Sequence, residues 1–259
     1  MIWRVFTLLL LSLCVQFNIV QGGYAGTLSW VTQDRWVTVD KVIDGDTFKT
    51  RKGEKVRLLG INAPETQHGN SPEQAFGNEA KVALTKLIDN QVVRLSFDKE
   101  KKDKYGRTLA HVYLRGGLWV NEEMLRLGSS FVYTFPPNVA KASEMVRVEQ
   151  QAIGANQGIW QLSRWRVLLP EQLEKSLLGQ FRLVQGKITA LDKSGWQFSM
   201  GKLWVSVPKK YRTFFRNGHK AKEGESVLVR GVVRMSKKGK WFLSVHAPSD
   251  IYHLKKTLH

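Results

Sequence analysis

Residues 35–65 read RWVTVDKVIDGDTFKTRKGEKVRLLGINAPE. Two runs rich in β-branched residues, RWVTVDKVIDGDTFKT and EKVRLLGI, flank a break at Gly53, which predicts consecutive strands joined by tight turns. Asp44 and Asp46 lie two apart where the first strand turns into the next, so both side chains can face one side. Arg57 falls inside the following strand, and Asn62 and Glu65 lie in the loop that leaves it.

Downstream, SPEQAFGNEAKVALTKLIDN (71–90) predicts an amphipathic helix. Ser71 would cap it, Pro72 suits its first position and Gln74 completes a capping box. Phe76, Ala80, Ala83, Leu84, Leu87 and Ile88 share one face. QVVRLSF alternates with Val93, Leu95 and Phe97 on one side, and TLAHVYL follows as its antiparallel partner. A second helix is expected in NEEMLRLG, with Asn121 capping and Gly128 ending it. A third is expected over Ala140–Ile153. Three strands, a helix, two strands and further helices predict an α+β domain: a five-stranded barrel with three helices, of the OB type.

The 259 residues are 42% hydrophobic and 24% charged, enough to bury a real core and too apolar for wholesale disorder. The net charge of +18 points to a polyanionic partner. Residues 1–25 carry Arg4, then an apolar run from Val5 to Val20, then small residues, which is the layout of a cleaved export signal rather than a spanning helix. A secreted or periplasmic protein follows from that reading. The one cysteine, Cys14, lies inside the run, so the exported chain has no thiol for disulfides or metal binding. LSLC places Leu13 where a lipoprotein signal wants a small residue. No later stretch is long and apolar enough to cross a bilayer.

Charge also divides the chain. Residues 181–259 hold 17 Lys and Arg against 4 Asp and Glu, whereas the first 180 hold 23 against 18. The expected organisation is a signal (1–25), a first domain (26–163), a short joining helix with Pro170 in its first turn (164–179) and a basic module (180–259). Five short alternating runs, VQGKITAL, GWQFSM, KLWVSV, ESVLVRGVVRM and KWFLSVHA, predict a second small OB-like barrel, with one helix near KKYRTFFRNG. Its aromatics interleave with cations, and Phe242 falls on the face opposite Trp241, Leu243 and Val245. That arrangement suits a nucleic-acid-holding role; the plainer reading is a basic barrel that only packs on the first domain.

Taken singly, Asp-Gly-Asp is ordinary turn chemistry and a strand arginine an ordinary solvated face. The six histidines never fall at HExxH spacing, and His68 reads as a surface loop residue. Together, however, VIDGDTF, VRLLGINAPE, FGNEA, DKYGR, VNEEMLRLG and GIW stand in the order and approximate spacing of the staphylococcal nuclease (thermonuclease) family, which residues 36–161 resemble. The resemblance implies a Ca²⁺-dependent enzyme that hydrolyses phosphodiester bonds of DNA and RNA with low sequence specificity. It implies Asp46 as the principal metal ligand, with Asn62 and the backbone of Ala63 beside it. It implies Glu65 as general base, Arg57 and Arg107 on the scissile phosphate, and Lys104, Tyr105 and Tyr133 on the nucleotide. A monomer is expected.

Asn62 departs from the family, which commonly has a second aspartate there. Its amide oxygen is still a hard ligand but brings no charge, so a weaker, working calcium site is the expectation. Two alternatives stay open: a catalytically silent nucleic-acid binder built from two barrels, and a surface polyanion-binding or adhesion protein. The second leaves Asp46, Arg57, Glu65 and Arg107 with no reason to occur together.

Overall fold

The computed structural model describes residues 34–67, 73–216 and 218–254. The export signal, His68 and the proposed helix start at Ser71 and Pro72 lie outside these residues. Among the described residues no helix is long and apolar enough to cross a membrane.

The first barrel uses β1 (Arg35–Val42), β2 (Thr47–Thr50), β3 (Lys55–Leu58), β5 (Val92–Ser96) and β6 (Thr108–Tyr113), closed in the order β1-β2-β3-β6-β5. Strand β1 serves both sides of the closure. Its residues 35–38 pair with β5 and its later residues with β2, and a register shift between Val39 and Lys41 supplies the bend. Strands β3 and β6 run parallel, as the intervening helix permits. Inward positions Val39, Phe48, Val56, Leu58, Val93, Leu95, Ala110 and Val112 fill the barrel. Helix α1 (Gly77–Ile88) covers one end with Ala80, Leu84 and Ile88, the face expected from periodicity.

Two helix starts differ from expectation. Helix α1 begins at Gly77, with Phe76 in the left-handed region before it, so Gln74 completes no capping box. Helix α2 (Val120–Arg126) is preceded by Trp119, and Asn121 lies inside it, fully buried. The Asn121 side chain accepts from Val112 N–H at 2.8 Å and donates to Leu59 O at 2.9 Å. An apparent cap is therefore a clamp between β6 and the residue that follows β3. Helix α3 (Ala142–Gly154) packs on α2, and the short strands β4 (Ile61–Asn62) and β7 (Phe131–Val132) pair with each other.

Residues 164–179 form two separate 3-10 turns, Pro170–Gln172 and Lys175–Leu177, instead of a joining helix; Pro170 does begin the first. Strands β8 (Phe181–Lys187), β9 (Ala190–Leu191), β10 (Gln197–Met200), β11 (Leu203–Ser206), β12 (Ser226–Met235) and β13 (Trp241–Ser244) follow, with β14 (Ile251–His253) at the edge of β12. Strands β8 and β9 are one strand bent at Ile188 and Thr189. The first part pairs with β12 and the second with β10, and Thr189 N–H donates to Ser199 O at 2.9 Å. Through that bend the sheet closes on itself in the order β8/β9-β10-β11-β13-β12, with β11 and β13 parallel. This is the strand plan of the first barrel, reached without repeated sequence. The expected helix is a 3-10 segment, Lys209–Phe215.

The described residues form one compact unit. Glu149 of α3 and Arg230 of β12, both almost wholly buried, meet at 2.7 Å. Burial raises the Glu149 pKa, opposed by Arg230 and by the Val132 N–H that donates to Oε1 at 2.7 Å.

His111 of β6 is buried edge-on to Trp119, ring centroids 5.3 Å apart. Burial pushes its pKa down to about 4, with Lys141 adding to the effect. The folded value lies below the ordinary ~6.5, so protons favour the unfolded chain. Stability from this group is complete above about pH 6.5 and falls by about 3 kcal/mol toward pH 4. Urea unfolding of His111→Phe across that range should show a flatter pH dependence than the wild type.

Candidate active site

Asp46 closes the β1–β2 turn and is 4% exposed. Its N–H donates to Asp44 Oδ1 at 3.0 Å, Thr47 Oγ1 donates to its Oδ1 at 2.9 Å, and Ala63 N–H donates to its Oδ2 at 2.8 Å. The Arg57 guanidinium forms an ion pair with the same Oδ2. Burial pushes the Asp46 pKa up to about 6; Arg57 draws it down and Asp44 raises it further. Gly45 is required here by space. A Cβ on it would lie 2.5 Å from that of Ala63 and 2.6 Å from that of Ala80.

Arg57 projects from β3 and is 9% exposed; its other terminal nitrogen donates to Asn62 Oδ1 at 2.6 Å. Asn62 Nδ2 donates to Ala63 O at 3.2 Å. The donors of this corner are all oxygen: the Asp46 carboxylate, the Asn62 amide and the Ala63 carbonyl. Calcium accepts such a set. Among the described residues no group of three or more His, Cys, Asp or Glu that could hold a metal ion gathers.

Glu65 is exposed, but its backbone is tied down. Gln74 N–H donates to Glu65 O at 2.9 Å, and Glu65 N–H donates to Gln74 Oε1 at 3.3 Å. The first turn of α1 presses on the same segment, since a Cβ at Gly77 would lie 2.4 Å from Glu65 O. Gly77→Ala must therefore push the Glu65 loop outward. A displacement near 1 Å lowers turnover by about 10²-fold when a reacting group is misplaced. Steady-state kinetics on a folded Gly77→Ala variant check this.

Arg107 sits in the turn before β6. Asp103 Oδ1 accepts from the N–H groups of Tyr105 and Arg107, each at 2.9 Å, and its Oδ2 accepts from Arg107 Nε at 2.7 Å. Although burial works the other way, these bonds hold the Asp103 carboxyl below its usual range. Opposite stands the segment 133–138, fixed by reciprocal 2.8 Å bonds between Asn138 and the backbone of Glu100.

Arg57, Asn62, Glu65, Arg107 and Tyr133 line one cleft of about 330 Å³. Asp46 and Ala63 are not in its lining; Asp46 joins it through the ion pair with Arg57, and Ala63 through its hydrogen bond to Asp46. Lys104 and Tyr105 are not in its lining. Tyr105 is 73% exposed and lines a neighbouring depression that shares Arg107. Sequence alone gives Gly77, Asp103 and Phe135 no role, and it reads Gln74 only as half of a capping box. A glycine in FGNEA, inside a helical pattern, was the one available hint.

The sequence profile described as "Staphylococcal nuclease homologue" matches residues 55–162, from β3 to just past α3. The "Thermonuclease" of Staphylococcus hyicus is 33% identical over 154 residues, 58% of this chain and 90% of that protein. That of Staphylococcus intermedius is 39% identical over 126 residues, 48% of this chain and 74% of that one. "Endonuclease YncB" of Bacillus subtilis (strain 168) is 38% identical over 132 residues, 49% of this chain and 62% of that one. By its barrel, by the residues that converge on the cleft and by this similarity, the chain belongs to the staphylococcal nuclease family.

Proposed function

We propose that the protein is an exported, calcium-dependent nuclease that hydrolyses phosphodiester bonds of DNA and RNA with little sequence preference. Residues 26–163 would form the nuclease domain and residues 180–259 a basic module that holds nucleic acid. The observation that carries this reading is the convergence of Arg57, Arg107 and Glu65 on one cleft.

Each guanidinium is planar and offers paired donors that match two phosphate oxygens. Arg57 and Arg107 neutralise the charge that builds on the phosphorus centre. The Glu65 carboxylate, exposed on a pinned loop, accepts the proton of the attacking water. Tyr133 and Phe135 wall the cleft beside the nucleotide. Lys104 and Tyr105 would meet a flanking phosphate rather than the scissile one, a role supported by the depression that Tyr105 and Arg107 share. Asp46, Asn62 and Ala63 would hold the calcium ion, which when bound polarises a phosphoryl oxygen as a Lewis acid.

Purified residues 26–259 should degrade plasmid DNA with calcium and stop when EDTA is added. Intact plasmid under both conditions would favour the silent nucleic-acid binder, for which the Arg57 contacts with Asp46 and Asn62 are the supporting observation. Asn62→Asp restores a second charge next to Asp46. It should lower the calcium needed for half-maximal cleavage by about tenfold, ~1.4 kcal/mol. Terbium luminescence titration of the protein alone should shift equally. An unchanged titration would remove position 62 from the ion's surroundings.

A further inference from the structure

The second barrel carries an aromatic face that packing does not explain. On β11, Leu203 and Val205 are buried and Trp204 points the other way; on β13, Leu243 is buried and Phe242 alternates with it. Trp204 and Phe242 stand directly opposite each other in register, and Arg234 of β12 is opposite Phe242 on its other side. Trp204 and Phe242 are only half-buried and belong to none of the hydrophobic clusters. Lys240 Nζ lies 5.8 Å from the Trp204 ring centre, and Lys237 and Lys238 are exposed on the same hairpin.

This row leads to the cleft. The outward alternation of β13 continues from Phe242 through Ser244 to His246, about 13 Å along the strand. The His246 ring lies 4.6 Å from Tyr211 and 5.1 Å from Phe135, and Phe135 lies 4.8 Å from Tyr133. Phe135 and Tyr133 are cleft residues. Lys210 Nζ stands 4.7 Å over Tyr211. Aromatic rings thus extend from the cleft wall onto the second barrel, with Lys210 over Tyr211 and Lys240 over Trp204. The region is also where the chain concentrates its charge, +13 net over residues 181–259.

We propose that the outward face of β11 and β13 is a second binding surface, for single-stranded polynucleotide, and that it continues the cleft. Bases stack on Trp204, Phe242 and the Tyr211–His246 pair while Lys210, Arg234 and Lys240 meet phosphates. Stacking accepts any base and cations follow the backbone, so the surface is indifferent to sequence. The direction of the track rests on the cleft being the cleavage site; the binding does not.

Fluorescence anisotropy with a labelled 15-nucleotide oligo-dT tests this, using full-length mature protein carrying Glu65→Gln so that the strand survives. Adding Trp204→Ala and Phe242→Ala should weaken binding by about tenfold or more. Adding Arg234→Glu and Lys240→Glu should make the salt slope shallower by about 1.4, two phosphate contacts on a single strand. Oligo-U of equal length, run in parallel, ranks DNA against RNA on the same face. Heparin, which has charge but no bases, should bind the aromatic variant and its parent alike. With Glu65 intact, the aromatic variant should cleave a dinucleotide as the wild type does, with KM raised only for long strands. Unchanged oligo-dT affinity in the aromatic variant overturns the proposal, as does an equal loss of heparin binding. If the wild type cleaves nothing but the affinity loss is seen, the surface stands and the nuclease reading fails.

Discussion

Glu65→Gln is expected to lower kcat for DNA hydrolysis by about 10²–10⁴-fold, the usual contribution of a general base. The amide keeps the size and shape of the carboxylate but cannot take a proton from water. Position 65 is held through its backbone, by both ends of Gln74 and by the close approach of Gly77. The variant should therefore fold and bind substrate with KM little changed. Single-turnover cleavage with saturating calcium separates the chemical step from product release. A loss below about tenfold would place the base elsewhere.

The second large effect is on stability. Arg230→Ala leaves Glu149 buried without its partner, and removing one member of such a pair costs about 3–5 kcal/mol. Glu149 also holds the Val132 N–H, adjacent to cleft residue Tyr133, so the loss reaches the site wall. Urea unfolding measures it. The double variant Glu149→Gln with Arg230→Met removes both charges while retaining an acceptor for Val132, and it should regain most of the stability. Because the pair links α3 to β12, the wild type should unfold in one transition. If Arg230→Ala cost less than about 1 kcal/mol, the pair would matter little.

The barrel strands were legible because their inward residues alternate with a period of two, and the same rule found the runs of the second barrel. The candidate set could be named from sequence because VIDGDTF, VRLLGINAPE and DKYGR keep a family's order and spacing, and the fold brings Arg57, Asn62, Glu65, Arg107 and Tyr133 of it to one cleft. What sequence hid was contact between distant segments. Asn121 looked like a cap because it precedes a helical run; only the fold puts Leu59 and Val112 within its reach. Gln74 looked like half of a capping box, but the loop brings Glu65 to it first, and the backbone pairing of these residues starts the helix later. Arg230 read as one more basic residue of a charged module, since nothing local marks its partner on α3. The linker followed the same logic. Pro170 suited the first turn of a helix, but Leu168 and Leu173 are buried against the second barrel, and the chain takes two short turns instead.

The phosphate grip is tested most directly by a crystal structure with calcium and a nucleotide bisphosphate inhibitor. Both guanidiniums should then sit on one phosphate, Arg57 turned from Asn62 and Arg107 turned from Asp103, with the Glu65 carboxylate facing the same phosphorus. A phosphate held elsewhere, with Arg57 still on Asp46 and Asn62 and Arg107 still on Asp103, would contradict it.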